Sequence, residues 1–148
     1  MGVTLSTRIL RTSKRATAVL ATLAAVAGLT LAGAPNAAAD DRATFKLTYG
    51  ATYYIGTIDF TNRSVLVAGS LRGLSTGCRR GWAAAFDGSF ERLDYNSTSA
   101  TCTGPVHREI PLTADVEGGV RFVEVRLQEA DGTELASCFL TRGVKVCD

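Results

Sequence analysis

Phe122-Val123-Glu124-Val125-Arg126-Leu127-Gln128 decides the fold class. Val123, Val125 and Leu127 alternate with Glu124, Arg126 and Gln128, and only Phe122 breaks the inside/outside register. Successive side chains of a strand point to opposite faces, so this pattern describes a strand with one face on a core and one in water. The same period recurs upstream. Phe45, Leu47 and Tyr49 alternate with Thr44, Lys46 and Thr48; Ile58 and Phe60 alternate with Thr57 and Asp59. Val65, Val67, Gly69 and Leu71 share a face, and so do Trp82, Ala84 and Phe86, which predicts Trp82 in the core. No segment after residue 39 keeps helical spacing over ten residues. The separators Thr61-Asn62-Arg63-Ser64, Asp87-Gly88, Glu117-Gly118-Gly119 and Asp131-Gly132 are turn-formers. The expected fold is therefore all-β: about seven or eight short antiparallel strands in a sandwich, with an open barrel as the alternative. The polar stretch from Arg92 to Pro105, rich in Ser and Thr, reads as a long loop tied down by Cys102.

Residues 1–39 read as an export signal and 40–148 as a single domain. Arg8, Arg11, Lys14 and Arg15 form a basic start, Thr17 to Ala34 carries no charge, Pro35 breaks the run, and Ala37-Ala38-Ala39 offers a small-x-small cleavage site before Asp40-Asp41. The uncharged run is rich in Ala, Gly and Thr, and no polybasic stop follows it, which argues against a membrane anchor. Removing four of the sixteen basic residues leaves twelve against fourteen acids, a net charge of about −2. The expected product is a secreted, extracellular protein, free of the membrane after cleavage and without a general attraction to nucleic acid. Lysine occurs only at positions 14, 46 and 145. With abundant Arg, Ala and Gly, that usage suggests a GC-rich bacterial source, of the Gram-positive, actinobacterial type.

Cys78, Cys102, Cys138 and Cys147 form an even set in a short exported domain, which reads as two disulfides rather than a metal or redox site. A two-residue hairpin at Arg142-Gly143 would place Cys138 opposite Cys147 at a non-hydrogen-bonded pair, where the Cα atoms come closest. That leaves Cys78 with Cys102. Chain entropy values the shorter loop at about 2.7 kcal/mol and the longer at about 3.5 kcal/mol.

Chemical machinery is sparse. There is no G-x-S-x-G, no H-E-x-x-H, no phosphate-cradling loop and no EF-hand spacing, so no cofactor or metal is expected. His107 is the sole histidine. In Val106-His107-Arg108-Glu109-Ile110 it stands beside the acid and the cation that a small ribonuclease would use. On a strand, however, His107 and Glu109 share one face while Arg108 takes the other. Arg79, Arg80 and Trp82 are residue types enriched at binding hot spots, and of Tyr53 and Tyr54 one ring is expected in the core and one at the surface. Arg79, Arg80, Trp82 and Tyr54 are thus the candidate binding surface. Asn62 and Asn96 match the glycosylation acceptor pattern and mark exposed turns. The expected function is a non-catalytic extracellular binding or inhibitor-type domain for a protein or a cell-wall polysaccharide. The alternative is a small secreted hydrolase or ribonuclease-like toxin using His107.

Overall fold

The computed structural model describes residues 41–147; the export signal expected over residues 1–39 lies outside them. Nine strands follow one another: β1 (Arg42–Tyr49), β2 (Thr52–Phe60), β3 (Ser64–Arg72), β4 (Arg79–Phe86), β5 (Arg92–Ser97), β6 (Val106–Thr113), β7 (Phe122–Glu129), β8 (Glu134–Thr141) and β9 (Val146–Cys147). They form a five-stranded sheet in the order β6-β3-β2-β1-β9 and a four-stranded sheet in the order β5-β4-β7-β8. All pairings are antiparallel except β1 with β9. Among the described residues there is no helix.

The inner faces carry the alternating apolar residues. Phe45, Leu47, Ile58, Phe60, Val65, Val67, Leu71, Ile110 and Leu112 from one sheet meet Val123, Val125, Leu127 and Leu140 from the other, all buried. Tyr49 continues the β1 period past the end of the core and is exposed.

β4 inverts the sequence expectation. Gly81, Ala83 and Ala85 face the core, and Trp82 and Phe86 lie on the outer face, half-buried. Both faces of β4 are apolar, so period two cannot set its phase. Packing does: Tyr54 from the facing sheet lies so close that a Cβ on Gly81 would sit 2.7 Å from its ring. Small residues must oppose the large ones for two layers to close.

Two strands depart from the sequence expectation. Arg92–Ser97, expected as loop, is the edge strand β5. A register shift between Ala85 and Phe86 brings Leu93 against the core, so apolar alternation is lost at that point. β9 is the other. The turn at Arg142-Gly143 forms, with Val144 N–H donating to Thr141 C=O (3.0 Å), but the chain then leaves β8 and joins the open edge of β1. Thr44 N–H donates to Lys145 C=O at 2.8 Å. Cys138 and Cys147 are bonded as expected, yet the bond ties the two sheets together rather than the two arms of a hairpin. The Cys78–Cys102 bridge joins the β3–β4 loop to the β5–β6 loop, the two crossovers between sheets at one end of the sandwich.

Candidate functional site

The outer face of the four-stranded sheet is aromatic. Register sets its rows. Ser97, Trp82, Arg126 and Ser137 form one; Tyr95, Ala84, Glu124 and Phe139 the next; Arg92, Phe86, Phe122 and Thr141 the third. Phe86, Phe122 and Phe139 cluster across the strands, with centroids 5.7 Å apart for Phe86–Phe139 and 5.5 Å for Phe122–Phe139. Phe90 caps them, its ring stacked on Phe122 at 4.3 Å. Beside this cluster, the Arg126 guanidinium lies over Trp82 at 4.5 Å and that of Arg92 over Tyr95 at 4.6 Å. More rings gather here than in the core, where Phe45, Tyr54 and Phe60 lie. Phe90, Tyr95 and Phe139 remain 61%, 57% and 47% exposed.

Phe90 is held there against its own backbone preference. It has φ +63°, a left-handed conformation that costs a bulky L-residue about 1–2 kcal/mol. The loop is pinned by Asp87, whose Oδ1 accepts from the N–H groups of Ser89 (2.7 Å) and Glu91 (2.9 Å). Stacking on Phe122 and, at 6.0 Å, on Phe139 returns about 0.5–1.5 kcal/mol per pair beyond the area buried, which offsets the strain. A bulky ring thus stands, mostly exposed, at a backbone position that Gly or Asn would adopt without strain.

The charges on this face are partly spent on one another. Arg126 pairs with Glu124 (2.7 Å) and Glu134 (3.1 Å). Arg80 Nε donates to Gln128 Oε1 at 3.1 Å. Arg92 and Arg121 make no ion pair among the described residues and stand exposed at the phenylalanine end.

The residues singled out from sequence thus separate. Trp82 and Arg80 are on this face. Arg79 is not: it is buried beneath the sheet end, with Nε donating to Thr52 Oγ1 (3.3 Å), an Nη to Cys78 C=O (3.0 Å) and Glu129 3.9 Å away. It borders a cavity of about 310 Å³ with Thr76, Glu129 and Asp131. Tyr54 takes the core position of its pair and is fully buried, so it leaves the surface set. Its ring meets Phe45 edge-on at 4.8 Å, and burial, with the charge of Glu109 adding to it, raises its hydroxyl above the usual tyrosine range. Phe90, Phe122, Phe139, Tyr95, Arg92 and Arg126 went unnoticed, although Phe122 was the residue that broke the deciding alternation. Asn62 lies in the exposed β2–β3 turn, and Asn96, also exposed, lies in β5 rather than in a loop.

His107 and Glu109 point outward from the edge strand β6, with Nε2 and Oε1 3.3 Å apart, while Arg108 points inward. All three nevertheless border one cavity of about 560 Å³, together with Ser97, Thr98 and Ser99. Among the described residues, no group of three or more His, Cys, Asp or Glu is placed to hold a metal ion.

Fold and face together define the class: a two-sheet, doubly disulfide-bonded β domain with an aromatic outer face. Comparison with protein-family models, curated proteins and solved structures returns no significant match to the chain.

Proposed function

We propose that this is an exported, non-catalytic binding domain that holds a protein partner on the outer face of its four-stranded sheet. Two disulfides are compatible with an oxidising, extracellular setting. The single observation that carries the reading is Phe90, a ring kept exposed at a backbone conformation that works against it. The composition of the face supports a protein partner. Trp, Tyr, Phe and Arg are the residues enriched in interface cores. Phenylalanine lacks the polar handle that recognition of sugar hydroxyls needs, and Arg126 is already engaged by Glu124 and Glu134. Four strands about 4.8 Å apart and about 26 Å long give a footprint of about 500 Å². With the relief of side chains, that approaches the about 800 Å² per partner of a stable interface. The exposed Arg92 and Arg121 favour a partner whose apolar patch is rimmed by carboxylates.

The test is photo-crosslinking in the medium of the producing cells, with benzoylphenylalanine at Phe90 or Phe139 and, as control, at Lys46 on the opposite sheet. One protein species joined from both aromatic positions and not from Lys46, and weakened by Arg92→Glu, is the expected result. Equal labelling from both faces, or retention on wall polysaccharide with no protein adduct, overturns the reading.

A hydrolase or ribonuclease-type activity at His107 is the second reading, favoured by the 3.3 Å contact with Glu109 and the shared cavity with Arg108. RNA cleavage by the purified domain that disappears in His107→Ala would support it; no cleavage, or cleavage unchanged by that substitution, ends it.

A further inference from the structure

We infer that the cavity between β5 and β6 binds a small oxyanion, the phosphate, sulfate or carboxylate group of a ligand, with Arg108 as its cation. The argument begins with strand phase. Alternation along β6 turns Arg108 inward between Val106 and Ile110, in a series whose other members on this strand are Val106, Ile110 and Leu112. Register places it in the row Phe45, Gly56, Gly69, Arg108. The two glycines leave the inner face bare at the neighbouring positions. They are also locked in place: a Cβ on Gly56 would sit 2.0 Å from Ala68 O, and one on Gly69 2.4 Å from Ile55 O. The fold thus gives room to a long cationic side chain at the margin of its core.

That cation has no counterion among the described residues. Of the other arginines drawn partly out of solvent, Arg79, Arg126 and Arg142 each have a carboxylate within ion-pair reach (Glu129, Glu124 with Glu134, and Asp41), and Arg80 donates to Gln128. Arg108 has none among the described residues, and its Nε is buried without any hydrogen-bond partner. A buried donor on a permanently charged group is costly when unpaired, and an anion is the partner that a guanidinium fork matches best. The cavity supplies the remaining donors. Ser97 and Ser99 line it, His107 stands at its border, and the Thr98 hydroxyl is already committed, accepting from Gly81 N–H and donating to Ser99 C=O, each at 3.0 Å. It is an open recess of about 560 Å³, with room for a small anion beside Arg108. Glu109 also borders it and opposes an anion, but its carboxylate is turned to His107.

The test is a titration of the isotope-labelled domain with inorganic phosphate, sulfate and acetate, followed by amide and His107 ring signals. Saturable shifts confined to Ser97–Ser99 and His107–Glu109, with a millimolar dissociation constant, are expected. Preference for phosphate and sulfate over acetate would mark a tetrahedral ligand group, and the reverse a carboxylate. Arg108→Met keeps the aliphatic stem and should weaken binding about tenfold or more. Arg108→Lys serves if the Met variant does not fold, and should weaken it severalfold by losing the fork. Glu109→Gln should tighten binding, and Arg121→Gln should leave it unchanged. No saturable shift at the cavity, or parental affinity in the Arg108 variants, overturns the inference. The aromatic face plays no part in this argument, so failure of either proposal leaves the other standing.

Discussion

Replacing Tyr54 by Phe should stabilise the domain. Tyr54 is fully buried, its ring packed on Phe45 and Gly81, and its hydroxyl has no hydrogen-bond partner among the described residues. Phe keeps the ring and removes the orphan oxygen. An unsatisfied buried hydroxyl costs about 1–3 kcal/mol, and loss of its few dispersion contacts takes back part of that, so a gain of about 1 kcal/mol is expected. In a domain of this size that raises the melting midpoint by about 4 °C. The pH profile gives an independent reading. Burial, and secondarily the Glu109 charge, raises the folded-state pKa of Tyr54 above its ordinary value of 10.0. The stability it contributes is therefore fully present below about pH 10, where both states keep the proton. Above that the unfolded state ionises first, and stability falls by about 1.4 kcal/mol per pH unit until the folded value is reached. The Phe variant should lose this part of the alkaline slope. Urea denaturation followed by circular dichroism and Trp82 emission, at pH 7 and at steps above about pH 10, measures both effects. A Phe variant less stable by more than about 1 kcal/mol, with the alkaline slope intact, would show that the hydroxyl is partnered and refute the reasoning.

Three further outcomes follow from the same contacts. Cys138→Ala with Cys147→Ala should cost about 2.7 kcal/mol and speed amide exchange at Thr44, whose N–H donates to Lys145 beside β9; unchanged protection there would mean that β9 is held without the bridge. Phe90→Asn, a residue that tolerates positive φ, should change stability by less than about 1 kcal/mol in urea denaturation while abolishing partner cross-linking; a loss above about 2 kcal/mol would make Phe90 a structural residue. Hydrogen bonding to Arg142 lowers the Asp41 pKa, and hydrogen bonding from Thr133 lowers that of Asp131. Both contributions are present above about pH 4 and lost as pH falls through the folded values, so Asp41→Asn should flatten the acid limb of a melting-temperature profile; an unaltered limb would refute the Asp41 assignment.

Legibility varied with how each residue is surrounded. β7 was readable because Val123, Val125 and Leu127 face apolar neighbours and Glu124 and Arg126 face water. β4 was misphased because Trp82 and Phe86 are as apolar as the Ala residues beside them, and only the rings of the facing sheet say which set has room. β5 escaped notice because an edge strand buries little and its bulge breaks the period at Leu93. The cysteine partners were readable from spacing, since a turn between Cys138 and Cys147 brings them near one another in either geometry. Where β9 goes depends on the unpaired edge of β1, far away in the chain, Thr44 pairing with Val146 and Phe45 with Cys147. The aromatic face had a local trace in Phe122, but its other members come from different strands and one loop.

Local periodicity and turn chemistry by themselves specified an antiparallel, two-disulfide β domain, because strand period and turn residues are properties of neighbours in sequence. Only the tertiary structure decided which face of β4 is inside, that Cys138–Cys147 spans two sheets, that phenylalanines from three strands and a loop make one surface, and that Arg108 has no counterion among the described residues. Each of those depends on volume, open hydrogen-bonding edges or charge supplied by segments distant in the chain, and such complementarity is a property of packed layers rather than of any one strand.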